Sequence, residues 1–494
     1  MKSTALFLLL LAGYGTIYGK GYLRTLEGQK DKPNILFIVS EDNGPELSCY
    51  GAPAHTPVLD GLARRGVRFQ RAYVPQAGCS PSRASFLTGL YPHQNGQIGL
   101  ATWKYGMYNP HTPNLVNSLK ASGYRTGIIG KIHVNPEDAF DFDFHTIKEA
   151  NFKRTGLDRY AKAAAEFMRG GEEPFYLQVN YPDAHDPFLA QVDGLPEKVL
   201  TGKDVETLPY HGVTSDELKQ KVADYYNSIM RLDALVGVLL DSLRAVGKYE
   251  NTLIVYIGDH GADMLRGKRT SYEGGTRIPM IISWPGSGRT GRVYEGLVST
   301  IDLFPTFMEV SGNPIPSHLP GCSLAGVIRG SDRPIRERLF TEYNVHSNHN
   351  PYPQRAVRDG RFKLIHNLVA GYENPGYAYT NGLYPSADSA IAAAPEKIAA
   401  AYQRMKRPPE FELYDLVEDP YEWNNLSGDP RYEREAATLR EALLEWQRNT
   451  RDPFLDPSVA ERFFLEVMET GNKKLDLRYH DYMYPDIAFN NDPK

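Results

Sequence analysis

Between residues 34 and 284 the chain is punctuated by apolar runs without polar alternation: Asn34-Ile-Leu-Phe-Ile-Val-Ser40, Arg125-Thr-Gly-Ile-Ile-Gly130, Pro174-Phe-Tyr-Leu-Gln-Val-Asn-Tyr181, Thr252-Leu-Ile-Val-Tyr-Ile-Gly258 and residues 278–284. Such runs suit strands buried on both faces. Between them the spacing turns helical, over 56–65, over 113–122 with Gly123 as a stop, and over 215–245, where Val222, Ile229, Leu232 and Leu239 recur near helical spacing. Residues 67–74 read as a further strand. Strands alternating with helices predict an α/β fold with a large, mostly parallel sheet covered by helices on both faces.

Beyond about Gly330 the pattern changes. Arg355-Ala-Val-Arg-Asp-Gly-Arg-Phe-Lys-Leu-Ile-His-Asn367 reads as a hairpin turning at Asp359-Gly360, residues 411–416 as another strand, and 432–449 as an amphipathic helix. A smaller C-terminal domain with an antiparallel sheet and a packed helix is expected. The start, Met1-Lys2 followed by an apolar stretch over 5–12 and small or polar residues to Lys20, reads as a signal peptide and not a spanning helix. The expected layout is a signal peptide over 1–20, a large domain over 21–335 and the smaller domain over 336–494. The tail from Lys473 carries no functional signal. Export to a periplasmic, extracellular or secretory compartment follows, with no stable membrane span.

A length of 494 residues allows a sizeable core and two domains, and a net charge of -5 argues against a nucleic-acid surface. An anionic ligand must therefore meet a local basic pocket. Only Cys49, Cys79 and Cys322 occur, so disulfides do not staple this chain, and sequence alone does not pair Cys49 with Cys322.

Open parallel sheets bind ligands beyond the carboxyl ends of their strands. Here Glu41, Asp42, Lys131, His133, His185, Asp259 and His260 all follow directly after a strand candidate. Each alone has a plainer reading, as an N-cap, a solvated turn or a satisfied structural histidine. Together they describe one pocket. Glu41, Asp42 and Asp259 are hard oxygen donors that suit calcium or magnesium better than zinc, whereas His260 is a less typical calcium ligand.

The stretch Cys79-Ser80-Pro81-Ser82-Arg83 organises the rest. Pro81 fits the first turn of a helix, which places Cys79 just ahead of exposed backbone N–H groups with Arg83 one turn on, a setting that favours an anion. The alternative is a small buried cysteine capping a helix.

Cys-x-Pro-Ser-Arg followed by Ala-Ser-x-Leu-Thr-Gly resembles the signature of the type I sulfatases, of the alkaline phosphatase superfamily, and the likeness runs from Asn34 to about Trp284. The resemblance implies an alkaline-phosphatase-like fold and oxidation of Cys79 to formylglycine by a formylglycine-generating enzyme, with Arg83 as its anchoring cation. It implies calcium, or magnesium, held by Glu41, Asp42, Asp259 and His260 together with residue 79. Glu41 departs from the commoner Asp. Lys131 and His133 match the pair that contacts the formylglycine and sulfate, and His185 and Lys268 match the leaving-group side. The implied mechanism is attack of the aldehyde hydrate on sulfur, protonation of the leaving alcohol or amine by His185, and expulsion of sulfate with help from His133.

Within that family the likeness is greatest to the sulfamidase (heparan N-sulfatase) branch. It is carried by residues 79–89, His93-Gln-Asn-Gly96, residues 125–133, Tyr352-Pro-Gln-Arg355-Ala-Val and Leu364-Ile-His-Asn367. Ala101-Thr-Trp-Lys-Tyr105 departs from that branch, and Lys268 with Tyr272-Glu-Gly-Gly looks like general O-sulfatases. The expected substrates are sulfated carbohydrates, glycosaminoglycan or algal, with His346, His349 and Arg355 as sugar contacts from the small domain. The rival readings are a phosphate or phosphonate ester hydrolase of the same superfamily and an inactive glycan-binding relative.

Overall fold

Ile35, Leu36, Phe37, Ile38 and Val39 are all fully buried, and the strand they form lies inside the larger sheet, with helices on both sides. The computed structural model describes residues 32–285 and 291–471. The expected signal peptide and the tail from Lys473 lie outside the described residues. Eight strands, β1 (Asn34–Ser40), β2 (Val67–Tyr73), β3 (Arg125–Ile129), β4 (Phe144–Thr146), β5 (Phe175–Asn180), β6 (Thr252–Gly258), β7 (Arg277–Ser283) and β8 (Arg292–Ser299), form this sheet. Their spatial order is β4-β3-β5-β1-β6-β7-β2-β8. Only β7 runs against the others, antiparallel to β6 and to β2.

Because successive side chains point to opposite faces, β1 feeds two cores. Leu36 and Ile38 join Ile229, Leu232 and Leu239 of the helix Asp216–Ala245. Ile35, Phe37 and Val39 face the other way, where the Phe37 ring meets Phe86 edge-on at 5.2 Å and Phe307 at 5.7 Å. The long helix starts where its sequence says it should, with Ser215 Oγ accepting the N–H of Leu218 at 3.1 Å and Asp216 and Glu217 in the first turn.

The second sheet is antiparallel, β9 (Leu339–Tyr343), β10 (Gln354–Arg358), β11 (Phe362–Asn367) and β12 (Phe411–Asp415), in the order β12-β11-β10-β9. The hairpin turns at Asp359-Gly360, with Arg358 opposite Lys363. The helix Glu433–Asn449 packs on it through Leu439, Leu443 and Trp446. The apolar pattern had shown no sign of β4, β8 and β9, of the helices Asp158–Arg169 and Leu303–Val310, or of three short helices between β11 and β12. Those three, Pro375–Gly382, Ala387–Ala392 and Glu396–Lys406, send Tyr377, Ile391 and Tyr402 into the same core as Leu36. Residues on both sides of the expected domain boundary thus share one hydrophobic core. Among the described residues no helix is long and apolar enough to cross a membrane.

Candidate active site

Strand order assembles the site. β3, β5, β1 and β6 are successive neighbours in the sheet, so the residues that follow them line one edge at strand spacing, about 4.8 Å per step. Lys131 and His133 follow β3, His185 follows β5, Glu41 and Asp42 follow β1, and Asp259 and His260 follow β6. Gly258 is required here, because a Cβ on it would lie 1.8 Å from the carbonyl oxygen of Asn43. Asp42 adopts φ 49°, the left-handed region that aspartate tolerates.

The helix Cys79–Thr88 brings the thiol to this edge. Cys79 is the helix's first residue, not the residue ahead of it as its sequence suggested; Gly78 is the N-cap, and Pro81 sits in the first turn. Cys79 Sγ lies 3.3 Å from His260 Nε2 and 3.9 Å from Asp42 Oδ1, and the residue is only 2% exposed. Burial would push the thiol up, but Lys268, His260 and Lys131 outweigh it and hold Cys79 well below the usual thiol range, with His133 adding to the effect.

Buried acids and cations are matched throughout. Arg83 Nη2 lies 3.2 Å from Glu41 Oε1 and 3.1 Å from Asp259 Oδ2. Lys131 Nζ is 2.5 Å from Glu41 Oε2, and Lys268 Nζ is 3.0 Å from both oxygens of Asp42. Although burial pushes Glu41 up, Lys131 and Arg83 pull its carboxyl below the ordinary range. His185 Nδ1 donates to the carbonyl of Asp186 at 2.5 Å, which leaves Nε2 on the pocket side, 3.9 Å from Asp42 Oδ2. Despite its burial, Asp42 raises the His185 pKa. His133 has neither ring nitrogen hydrogen-bonded, and burial followed by Lys131 lowers its pKa.

The donor set fits a hard divalent cation. His260 Nδ1 donates to the carbonyl of Gly261 at 2.9 Å, so in the neutral ring Nε2 is a bare lone pair. That lone pair faces Asp42 Oδ1 at 3.2 Å and Asp259 Oδ1 at 3.7 Å. Asp42 and Asp259 already face Lys268 and Arg83, so a metal here would share these carboxylates with the two side-chain cations. Asp259 and Asp42 outweigh burial and raise His260 to about 9. Asp42, Cys79 and His260 place their ligand atoms within 4.8 Å of one another, and Glu41, Cys79 and His185 form a second such group.

The small-domain residues divide. His346 is buried beside the Cys79 loop, its Nδ1 unpartnered and 3.3 Å from where a Cβ on Gly78 would lie. His349 is half-buried, edge-on to Trp103 at 4.8 Å. Arg355 does not match its expected role as a sugar contact. It is 0% exposed, with its guanidinium bound to Asp452 Oδ2 and Oδ1 at 2.5 and 2.8 Å and to Asn344 Oδ1 at 2.9 Å. Its strand, β10, is buried along its whole length, so no donor reaches the pocket. Residue-by-residue reading also missed Asp263, whose carboxylate lies 3.5 Å from Lys268 Nζ and pairs with Arg269. Asp263 stands as far past the end of β6 as His185 does past β5, so the strand-end pattern could have found it.

A buried cysteine on a helix N-terminus, facing acids and cations at the carboxyl edge of a mostly parallel sheet, sits in an alkaline-phosphatase-like fold. A family model described as Sulfatase matches residues 33–313, and one described as N-sulphoglucosamine sulphohydrolase, C-terminal, matches residues 258–374. The chain belongs to the sulfatase family and is a sulfate ester or sulfamate hydrolase. Human N-sulphoglucosamine sulphohydrolase is 30% identical over 466 residues, covering 85% of this chain and 91% of that protein. An ulvan-active sulfatase of Formosa agariphila is 28% identical over 442 residues, 85% of this chain and 81% of its own. A solved structure in complex with D-glucosamine-2-N,6-O-disulfate superposes with a TM-score of 0.64 at 22% identity, covering 86% of this chain and 99% of that one.

Proposed function

We propose that the enzyme is an exported sulfatase of sulfated carbohydrates, in which Cys79 is the precursor of formylglycine and calcium is the metal. The observation that carries the reading is the position of Cys79 Sγ, 3.3 Å from His260 Nε2 and 3.9 Å from Asp42 Oδ1, in the field of Lys131 and Lys268. The names of the relatives support sulfated glucosamine or algal polysaccharide as the substrate class, and the apolar run over 5–12 supports export.

Converted to formylglycine, residue 79 would supply a hydrated aldehyde as the nucleophile toward sulfur, displacing the substrate oxygen or nitrogen. Asp42, Asp259 and His260 with Glu41 and residue 79 would hold calcium, which would supply positive charge against an anionic substrate. Lys131 and Lys268 flank that position as preorganised cations, so charge developing in the transition state meets fixed partners. His185, its Nδ1 committed to Asp186, carries the mobile proton on Nε2 and gives it to the departing oxygen or nitrogen. His133, whose pKa burial and Lys131 lower, would take the proton of the second hydroxyl of residue 79, so that sulfate leaves and the aldehyde re-forms. Loss of either proton-transfer group costs about 10²- to 10⁴-fold in rate.

The test is peptide mass spectrometry across Cys79 combined with sulfate release from a panel of N-sulfated and O-sulfated saccharides. Conversion of Cys79, with release that disappears in Cys79→Ala, supports the reading. Faster turnover of an aryl phosphate than of an aryl sulfate transfers the site to phosphoester chemistry, and release from nothing by a fully converted protein returns it to glycan binding.

A further inference from the structure

The segment 151–154, in a coil between β4 and the helix Asp158–Arg169, touches His185 in two ways. The Phe152 ring stacks on the His185 imidazole, centroids 4.3 Å apart and planes 23° apart. The Arg154 guanidinium donates from Nη2 to the carbonyl of His185, from Nη1 to the carbonyl of Phe152 at 2.6 Å, and from Nε to Asp183 Oδ1 at 3.0 Å. Asp183 is gripped in turn by Arg231, Nε to Oδ2 at 2.8 Å and Nη2 to Oδ1 at 2.6 Å. The carbonyl of Asp183 accepts the Glu41 N–H at 2.9 Å, and Ala184 N–H donates to the carbonyl of Glu41 at 2.6 Å. Arg154 thus ties the loop that bears His185 to the segment whose ring stacks on it, and the backbone of that loop is bonded to the end of β1.

This arrangement answers a need of the reaction. His185 stands on a loop past the end of β5, half-buried, and on its own side chain only Nδ1 is fixed, by the neighbouring Asp186 carbonyl. A single hydrogen bond to the next residue leaves the ring free to swing, whereas proton transfer requires a donor within about 2.6–3.2 Å of the departing atom. Phe152 closes one face of the ring, and the Lys131 ammonium sits 5.4 Å from the centroid of the same phenyl group.

We infer that Phe152 and Arg154 are positioning residues for His185, holding Nε2 toward the leaving group. The inference rests on the reading of His185 as the proton donor. Phe152 is 39% exposed, so Phe152→Ala removes the stacked face with little burden on the core. Arg154→Lys keeps a charge on Asp183 but loses the forked grip.

The experiment compares two aryl sulfates of similar shape, 4-nitrophenyl sulfate, whose leaving group departs without help, and phenyl sulfate, whose leaving group needs a proton. His185→Ala sets the benchmark. Phe152→Ala and Arg154→Lys are expected to lower kcat on phenyl sulfate about 10-fold and on 4-nitrophenyl sulfate less than about threefold, a fraction of a full acid–base loss. Phe152→Tyr, which keeps the ring, is expected to restore the wild-type ratio. A biased His185→Ala with an unbiased Phe152→Ala overturns the inference alone, and an unbiased His185→Ala overturns the role of His185 and the inference with it. A crystal structure of Phe152→Ala gives a readout independent of turnover. An imidazole displaced or spread over several rotamers agrees with the inference, and an unmoved ring overturns it.

Discussion

Arg83 aims two donors, Nε and Nη2, at one oxygen of Asp259, Oδ2, at 3.2 and 3.1 Å, while Asp259 Oδ1 accepts the N–H of Asp42 at 2.9 Å. The fork takes one oxygen of Asp259, and the other fixes the backbone of a second acid.

Arg83→Lys is expected to keep the fold but lower kcat by about 10²- to 10³-fold, since a lysine carries the charge without the forked geometry. Arg83→Ala leaves buried Glu41 and Asp259 short of a cation, and its unfolding free energy falls by about 3–5 kcal/mol. Denaturant unfolding beside sulfate-release kinetics separates the two effects. Wild-type kinetics in Arg83→Lys would show that charge alone suffices.

Calcium is expected to raise Tm continuously with its concentration, with about 2.7 kcal/mol gained at one hundred times Kd. Chelation lowers both Tm and sulfate release, and added calcium restores both. Asp42→Asn abolishes the calcium-dependent shift, because it removes the carboxylate that faces His260 Nε2. His260→Asn, which offers an amide oxygen in place of imidazole, retains it. A Tm indifferent to calcium would remove the metal from this account.

Glu46 supplies the pH dependence. Burial raises its carboxyl to about 7 against the hydrogen bond from Tyr225, so the folded protein holds a proton that the unfolded chain releases near 4.5. An acid raised on folding costs nothing below its unfolded pKa and destabilises progressively as pH climbs from about 4.5 through about 7. The loss across that window is on the order of 3 kcal/mol. Glu46→Gln is expected to flatten this decline, as read from denaturant midpoints at pH 5 and pH 8. An unchanged difference between wild type and variant at the two pH values would assign the slope to other groups.

Arg355→Ala is expected to behave as a folding defect. It strands Asp452 and Asn344 in the core and costs about 3–5 kcal/mol of stability. KM for a sulfated oligosaccharide, per folded molecule, stays within about twofold of wild type, because a guanidinium with no exposed surface makes no ligand contact. A large rise in KM without loss of stability would reinstate the sugar contact.

What was readable in the chain follows from what its strands bury. β1, β3, β5 and β6 announce themselves because both faces are covered, which suppresses polar alternation, and the polar residues at their ends then stand out against apolar runs. β8 stayed hidden because it forms one end of the sheet, and its first half, with Val293 and Glu295 exposed, lacks a continuous buried run. Arg355 was misassigned because its partner Asp452 lies 97 positions away, so nothing local marks the arginine as a core residue. The grip of Arg154 on His185 is likewise a contact between segments 31 positions apart. Sequence names the groups that do chemistry when they sit at strand ends, but the groups that steady them come from coils whose neighbours only the closed sheet decides.

The burial of Cys79 has a consequence for biogenesis. Its thiol lies under the end of β1, on a helix whose ten residues are all buried, and no macromolecular active site can close around it once β1 has paired with β6. Any catalyst that rewrites this side chain must therefore meet an extended chain, in the interval between synthesis and sheet closure. On the proposed reading of Cys79, its conversion would compete with closure of the sheet, and a faster-folding variant would be converted less completely.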